Sequence, residues 1–252
     1  MAGRLYRAEY QDTEESVKRA GILNTAEVCY NIGTTTRDSE NGDTMNQTLN
    51  YYNENAAAFC EDTLHADMSH LYGCFLQHVP AGGKILDLGC GSGRDSLAFL
   101  RKGYQVEAID GSSELARLAS ELIGQPVRCM DFEELDYEEE FDGVWACASL
   151  LHVEKARISS VLEKVYQSLK PGGVLYCCFK YGTEERISGQ RFFNDYTEDT
   201  VKTLFTAENG WEILELFVTG DVREGREGEM WVNGVVKRKI DRVFVVKDNR
   251  VK

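Results

Sequence analysis

The stretch Lys84-Ile85-Leu86-Asp87-Leu88-Gly89-Cys90-Gly91-Ser92-Gly93-Arg94-Asp95 decides how this chain is read. A short apolar run leads into a turn with glycine at 89, 91 and 93, and a helical pattern follows. Glycine lets backbone approach a ligand closely and tolerates positive φ. A helix opening there points N–H groups and the positive end of its dipole at whatever lies over the turn. Asp87 adds a fixed carboxylate just before the turn. Donors and an acid together suit a zwitterionic ligand head.

Downstream, apolar strand patterns alternate with amphipathic helix patterns. Tyr104–Ile109 reads as a second strand ending at Asp110. Ser112 or Ser113 caps a helix with Leu115, Leu118, Ala119, Leu122 and Ile123 on one stripe. Val127–Met130 reads as a third strand, Phe141–Ala148 as a fourth, Val174–Lys180 as a fifth and Trp211–Thr219 as a sixth. Lys170-Pro171-Gly172-Gly173 reads as a turn, Tyr181–Tyr196 as a polar excursion and Gly220–Gly234 as a charged loop. Ile240–Lys247 is expected to be the last strand, antiparallel to the sixth. Upstream, Asn50–Val79 carries helical spacing with a break near 65–67. Residues 1–46 are polar and unpatterned, and are expected to form a flexible leader or extension to a compact domain over 47–252.

Strand–helix alternation of this kind gives an α/β fold with a parallel sheet wound on both faces. Such sheets bind ligand outside the carboxyl ends of the strands, at the switch point. The glycine turn, Asp110, Asp131 and the end of the fourth strand all fall on that edge. A carboxylate at the end of the second strand suits both hydroxyls of a ribose. The pattern Asp-x-Gly-x-Gly-x-Gly differs from the Gly-x-Gly-x-x-Gly of dinucleotide folds, and an acid so near the turn repels a pyrophosphate and suits an ammonium. A nucleoside with an amino-acid tail is S-adenosylmethionine.

Here the sequence resembles the class I S-adenosylmethionine-dependent methyltransferases. Ile85–Gly93 resembles their first motif, Glu107-Ala108-Ile109-Asp110 their second and Met130-Asp131-Phe132 their adenine contact. Phe141-Asp142-Gly143-Val144-Trp145 resembles their fourth strand, and Leu169–Gly173 the turn before the fifth. The Gly-Cys-Gly-Ser-Gly-Arg-Asp form is similar to small-molecule methyltransferases, including the tellurite-resistance type. The resemblance implies a Rossmann-like doubly wound sheet of about seven strands, mostly parallel with the last strand antiparallel, plus an N-terminal helical lid near residues 50–79. It implies that Asp87 and the Gly89, Gly91 and Gly93 turn hold the methionine end, that Asp110 holds the ribose, and that Asp131 and Phe132 meet the adenine. Ala148 falls beside the sulfonium. Tyr52, of the pair Tyr51-Tyr52, falls on the lid. Tyr181, Arg186 and Arg191, beyond the fifth strand, fall where the family places substrate contacts.

His152, just past the fourth strand, has two readings. It is a general base or substrate contact, with Tyr52 as its companion candidate for catalysis, or it is a hydrogen-bonded helix-entry residue. Arg94 either meets the methionine carboxylate or pairs with a nearby acid. No Asn/Asp-Pro-Pro-aromatic motif follows the fourth strand, which argues against a base-amino methyltransferase. No histidine or carboxylate spacing indicates a metal site.

The 252 residues carry a net charge of −14, which argues against a phosphate-backbone partner except through a local basic groove. Eight cysteines without a Cys-x-x-Cys pair read as free thiols of a reducing compartment, and a cytoplasmic protein is expected. No apolar run is long enough to span a membrane. The expectation is methyl transfer from S-adenosylmethionine to a small-molecule acceptor. The alternatives are an RNA or DNA methyltransferase and a non-catalytic cofactor-binding module.

Overall fold

The computed structural model describes residues 42–223, 225–226 and 228–240. Three helices come first: α1 (Gly42–Glu54), α2 (Ala56–Thr63) and α3 (Ser69–Leu76). Then follow β1 (Lys84–Leu88), α4 (Arg94–Arg101), β2 (Gln105–Asp110), α5 (Ser113–Ile123), β3 (Arg128–Cys129) and β4 (Phe141–Ala146). The chain continues through α6 (Ile158–Ser168), β5 (Leu169–Lys180), β6 (Glu185–Ser188), β7 (Arg191–Asn194), α7 (Glu198–Leu204), β8 (Trp211–Gly220) and β9 (Met230–Arg238). Short 3-10 turns at Phe132–Glu134 and Leu150–His152 follow β3 and β4.

Seven strands form one sheet in the order β3-β2-β1-β4-β5-β9-β8. All neighbours are parallel except β9, which runs antiparallel to both β5 and β8. The expected mostly parallel sheet with a reversed last strand is therefore present. Its order changes direction between β1 and β4, so their crossovers leave on opposite faces and open a crevice at their carboxyl ends.

The strands read as continuous apolar runs because both faces are covered. Successive residues serve opposite layers. Leu86, Val144, Leu175 and Phe179 pack with Ile158, Val161 and Val165 of α6 on one face. Ile85, Trp145, Val174 and Tyr176 pack with Leu71, Tyr72 and Phe75 of α3 and Phe99 of α4 on the other. Helix α5 starts and stops as its sequence dictates. Ser112 Oγ accepts the Leu115 N–H at 3.2 Å, and Gly124 closes the helix in the left-handed region.

Several boundaries differ from expectation. The last strand is Met230–Arg238, and Trp231 sits on it rather than in a loop. Asn233 and Gly234 interrupt its apolar pattern, but Asn233 is buried with its amide satisfied by Tyr176 and Thr219. Ile240 lies beyond that strand, and 241–247 fall outside the described residues. The polar excursion folds as the β6–β7 hairpin. The Lys170–Gly173 turn is absorbed as an irregularity at the start of β5. Of the leader expected over 1–46, residues 1–41 fall outside the described residues, and α1 begins at Gly42.

Candidate active site

A cavity of about 400 Å³ lies at the carboxyl edge of the sheet, under α1 and α2. Gly89, Gly91, Asp110, Asp131, Phe132, Ala148, Tyr52, His152, Arg186 and Arg191 all line it. Three of the expected site residues do not. Gly93 is the left-handed entry to α4 and packs on Ala119 and Ile123 of α5. Tyr181 is exposed and directs its hydroxyl to Glu198 at 3.4 Å. Asp87 is buried behind the turn, where its carboxyl accepts from Ser96 Oγ at 2.6 Å. Burial, then the nearby Asp95 charge, push the Asp87 carboxyl up to about 8.

The glycine turn is stapled to the end of β2. The N–H groups of Gly89 and Cys90 both donate to the Ile109 carbonyl, at 3.0 and 2.9 Å, and Gly91 N–H donates to Asp110 Oδ2 at 2.8 Å. These amides are already committed, so the turn presents its Cα surface to a ligand and not the free donors expected of it. Gly89 has φ +76°, and a Cβ on it would lie 2.5 Å from Ser149 Cβ. A Cβ on Gly91 would lie 3.0 Å from the Phe59 ring. Only glycine lets the wall run this close to the lid and to the loop after β4.

Asp110 holds the turn from the side. Its Oδ1 also accepts the Ser112 N–H at 2.8 Å, and burial pushes the carboxyl up to about 6. Each carboxylate oxygen has one further lone pair for a ligand hydroxyl. Asp131 caps the 3-10 turn after β3 by accepting the Glu133 N–H at 3.0 Å. This places the Phe132 ring against Gly89. Ala148 is held at φ +53°, an uncommon conformation for a residue with a Cβ, with its N–H directed at Cys178 Sγ 3.1 Å away.

His152 and Tyr52 meet on the opposite wall, with Nε2 and the hydroxyl 2.8 Å apart. Nδ1 lies 2.6 Å from the Phe192 carbonyl oxygen, which only accepts. Nδ1 therefore carries the proton, and Tyr52 donates to the Nε2 lone pair. Burial lowers the His152 imidazolium to about 4, and the Arg191 charge acts in the same direction. Burial raises the Tyr52 phenol, with Arg191 acting against it. The resting dyad is neutral, with its shared proton on tyrosine. His152 thus holds a hydrogen-bonded turn position and lines the cavity at once.

Arg94, left open by its sequence, pairs with an acid. Its Nε and Nη2 grip Asp95 at 2.6 and 2.9 Å, and the same carboxylate accepts from Tyr72 at 2.6 Å and Trp145 at 2.8 Å. Burial works against the Asp95 charge, but Arg94 and these donors outweigh it and hold the carboxyl below its ordinary range. Two wall elements were not legible in the sequence. The segment between β8 and β9 carries Arg223 and Arg226, which each reach Asp62 of α2 at 3.2 Å. Ser149, behind Gly89, has a buried hydroxyl with no partner. The signal for the first was the charge alternation of 221–229; the second had none.

The sheet order, the glycine turn and the carboxylate at the end of β2 define a Rossmann-like α/β domain. More particularly, residues 85–173 match the family model described as a methyltransferase domain. A putative methyltransferase of Bacillus subtilis, YqeM, is 33% identical over 104 residues, covering 38% of this chain and 42% of that protein. A ubiquinone biosynthesis O-methyltransferase of Xanthomonas axonopodis is 39% identical over 104 residues, covering 38% of this chain and 43% of that protein. The chain thus spans less than half the length of these curated relatives. The solved 1,6-didemethyltoxoflavin-N1-methyltransferase of Burkholderia thailandensis, holding 1,6-didemethyltoxoflavin and S-adenosylhomocysteine, has a TM-score of 0.64 at 20% identity. That likeness covers 82% of this chain and 93% of that one, and it is a likeness of fold. Residues 85–173 are thus similar to a methyltransferase domain, and S-adenosylmethionine is the cofactor to fit to these residues.

The residues present fit that cofactor. The orphaned Ser149 hydroxyl, the Cα-lined cradle at Gly89 and Gly91, and the open lone pairs of Asp110 supply a polar partner, room and a diol acceptor. No helix among the described residues is long and apolar enough to cross a membrane. The described residues also contain no cluster of three or more potential metal ligands.

Proposed function

We propose that this protein transfers a methyl group from S-adenosylmethionine to a small-molecule acceptor bearing a protic nucleophile. The observation that carries this reading is one cavity with two different walls. The glycine turn, Asp110 and Phe132 form a nucleoside wall, and the Tyr52–His152 dyad forms a proton-accepting wall. Asp110 would hold the ribose, Asp131 and Phe132 the adenine, and Ser149 and Ala148 would flank the methionine end. When bound, the cofactor would supply a sulfonium methyl carbon for in-line attack by the acceptor's lone pair, with the C–S bonding pair leaving on the sulfur of S-adenosylhomocysteine.

Alignment and desolvation are the chain's main contributions to such a step. The dyad gives the acceptor's proton a route. Tyr52 Oη takes it while the Tyr52 proton passes to His152 Nε2, and Nδ1–H stays on the Phe192 carbonyl. The imidazolium so formed is costly in a buried site, so the proton must leave to solvent before the next turnover.

The cavity's size lies in the range of small-ligand pockets. The cations near it are mostly paired with acids, unlike an open basic trough, and this supports a small molecule over nucleic acid. No disulfide joins any two of the described cysteines, which supports the cytoplasm as its compartment. The test is calorimetry with S-adenosylmethionine and S-adenosylhomocysteine, followed by transfer of labelled methyl into the small-molecule fraction of a cell extract. Absence of binding would refute the reading. Binding with label found only in macromolecules would refute the small-molecule acceptor.

A further inference from the structure

Six cationic side chains border the cavity: Arg94, Lys180, Arg186, Arg191, Arg223 and Arg226. Five are committed to carboxylates. Arg94 holds Asp95 at 2.6 Å, Arg186 holds Asp195 at 2.7 Å, and Arg223 holds Asp221 at 2.6 Å. Lys180 lies between Asp221 and Glu229, and Arg226 reaches Asp62 at 3.2 Å. Arg191 has no acidic partner among the described residues. Its guanidinium lies over the rings of Tyr51 at 4.7 Å, Phe193 at 5.2 Å and Tyr52 at 5.8 Å. Its Nε is buried with no hydrogen-bond partner.

This position is built. The hairpin loop Gly189-Gln190 takes positive φ at both residues, 55° and 66°, which is the form that matches strand twist and fixes register. The next residue but one, Phe192, donates its N–H to Thr48 Oγ1 of α1 at 3.0 Å and gives its carbonyl to His152. Arg191 is therefore locked to the same two elements that carry the dyad. In a chain with 42 acids, a half-buried guanidinium without a carboxylate is an unfilled requirement. The aromatic faces stabilise the cation from the sides and the Tyr52 hydroxyl interacts with it, but no carboxylate among the described residues meets its N–H fork.

Resting on the methyltransferase reading, we infer that the acceptor carries a carboxylate, which Arg191 binds in the fork of its guanidinium, and that a separate protic atom of the same molecule meets Tyr52. A carboxylate matches the planar fork in geometry and one cation in charge. A phosphate monoester dianion calls for a second cation, and the neighbouring ones are spent. Filling Arg191 also removes an unfavourable charge from beside His152, so recognition of the acid makes the dyad a better proton acceptor.

The experiment uses the full chain saturated with S-adenosylhomocysteine and titrates matched pairs, salicylate against salicylamide and 4-hydroxybenzoate against 4-hydroxybenzamide. At least one acid should bind tenfold or more tighter than its amide. Arg191→Met should abolish that preference while keeping S-adenosylhomocysteine affinity within a few fold, and Arg191→Lys should retain part of it. If S-adenosylhomocysteine fails to bind the unaltered protein, the functional reading itself falls. If it binds but neither acid exceeds its amide, or Arg191→Met keeps the preference, the carboxylate assignment alone is overturned.

Discussion

The hydroxyl of Tyr52 lies 2.8 Å from Nε2 of His152, joining residues 100 positions apart across the mouth of one cavity. The Phe192 carbonyl on the far side of the ring fixes the tautomer, so the direction of the hydrogen bond follows from geometry. We predict that His152→Ala and Tyr52→Phe each lower kcat by about 10²–10⁴-fold, the range for a lost general base. Affinity for S-adenosylhomocysteine should change little. Because the folded His152 has its imidazolium lowered to about 4, kcat/KM should be flat from pH 6 to 8 and fall as pH drops toward 4. A profile without that acid limb, or full activity in Tyr52→Phe, would remove the dyad from the chemistry.

Asp110 has two structural hydrogen bonds and two open lone pairs. Asp110→Ala should weaken S-adenosylhomocysteine binding by about 10–100-fold, as expected for a lost charged acceptor worth about 1.5–3 kcal/mol. Asp110→Asn keeps one acceptor oxygen and should lose less. Calorimetry on both variants, with thermal melts to confirm folding, checks this. Unchanged affinity would refute the ribose assignment.

Gly89→Ala places a methyl 2.5 Å from Ser149 Cβ in a left-handed conformation. The substitution should cost about 1–3 kcal/mol of stability, the usual scale for strain added to a special backbone position. It should abolish cofactor binding as well, because the Ser149 loop must shift to make room. A variant that binds normally would show that the turn is not the seat of the ligand.

The layers of the fold were readable because a doubly covered parallel sheet needs long apolar strands, and Val144–Ala146 and Val174–Phe179 supply them. The edge of the site was readable because strand ends carry Asp110, Asp131 and Ala148 to one rim. The sequence misled where a polar residue is paid for by a distant partner. Asn233 breaks the pattern of β9, yet Tyr176 on β5 satisfies it. Arg94, Arg186 and Arg191 look alike in sequence, and only the positions of Asp95 and Asp195 distinguish two satisfied cations from one that is not.

Asp87 supplies a pH test of that distant accounting. Its folded carboxyl is raised to about 8, well above the unfolded value near 3.8. The native state therefore holds a proton that the unfolded chain has lost, so this group's contribution is full below about pH 4 and declines as pH rises toward 8. Asp87→Asn, which keeps an acceptor for Ser96, should flatten the fall and stabilise the protein at pH 8 by about 1–3 kcal/mol, the cost of an imperfectly paired buried polar group. Denaturant melts across pH 5–8 read it. An identical pH slope in both proteins would place the effect elsewhere.

The Arg94–Asp95 pair makes the opposite case, a buried carboxylate kept charged by its neighbours. With Arg94, Tyr72 and Trp145 all donating, each Asp95 carboxylate oxygen accepts two hydrogen bonds and its acceptor capacity is filled. Arg94→Met leaves that carboxylate in an apolar layer and should cost about 3–5 kcal/mol near pH 8, the scale for breaking a buried ion pair. Burial then dominates and raises the Asp95 carboxyl above its unfolded value. The deficit should shrink as pH falls, since protonation removes the stranded charge. Adding Asp95→Asn should recover much of the loss, because Tyr72 and Trp145 still find an acceptor oxygen. A double-mutant cycle on urea melts measures the coupling directly, and additive losses would show that the two side chains do not act as a pair.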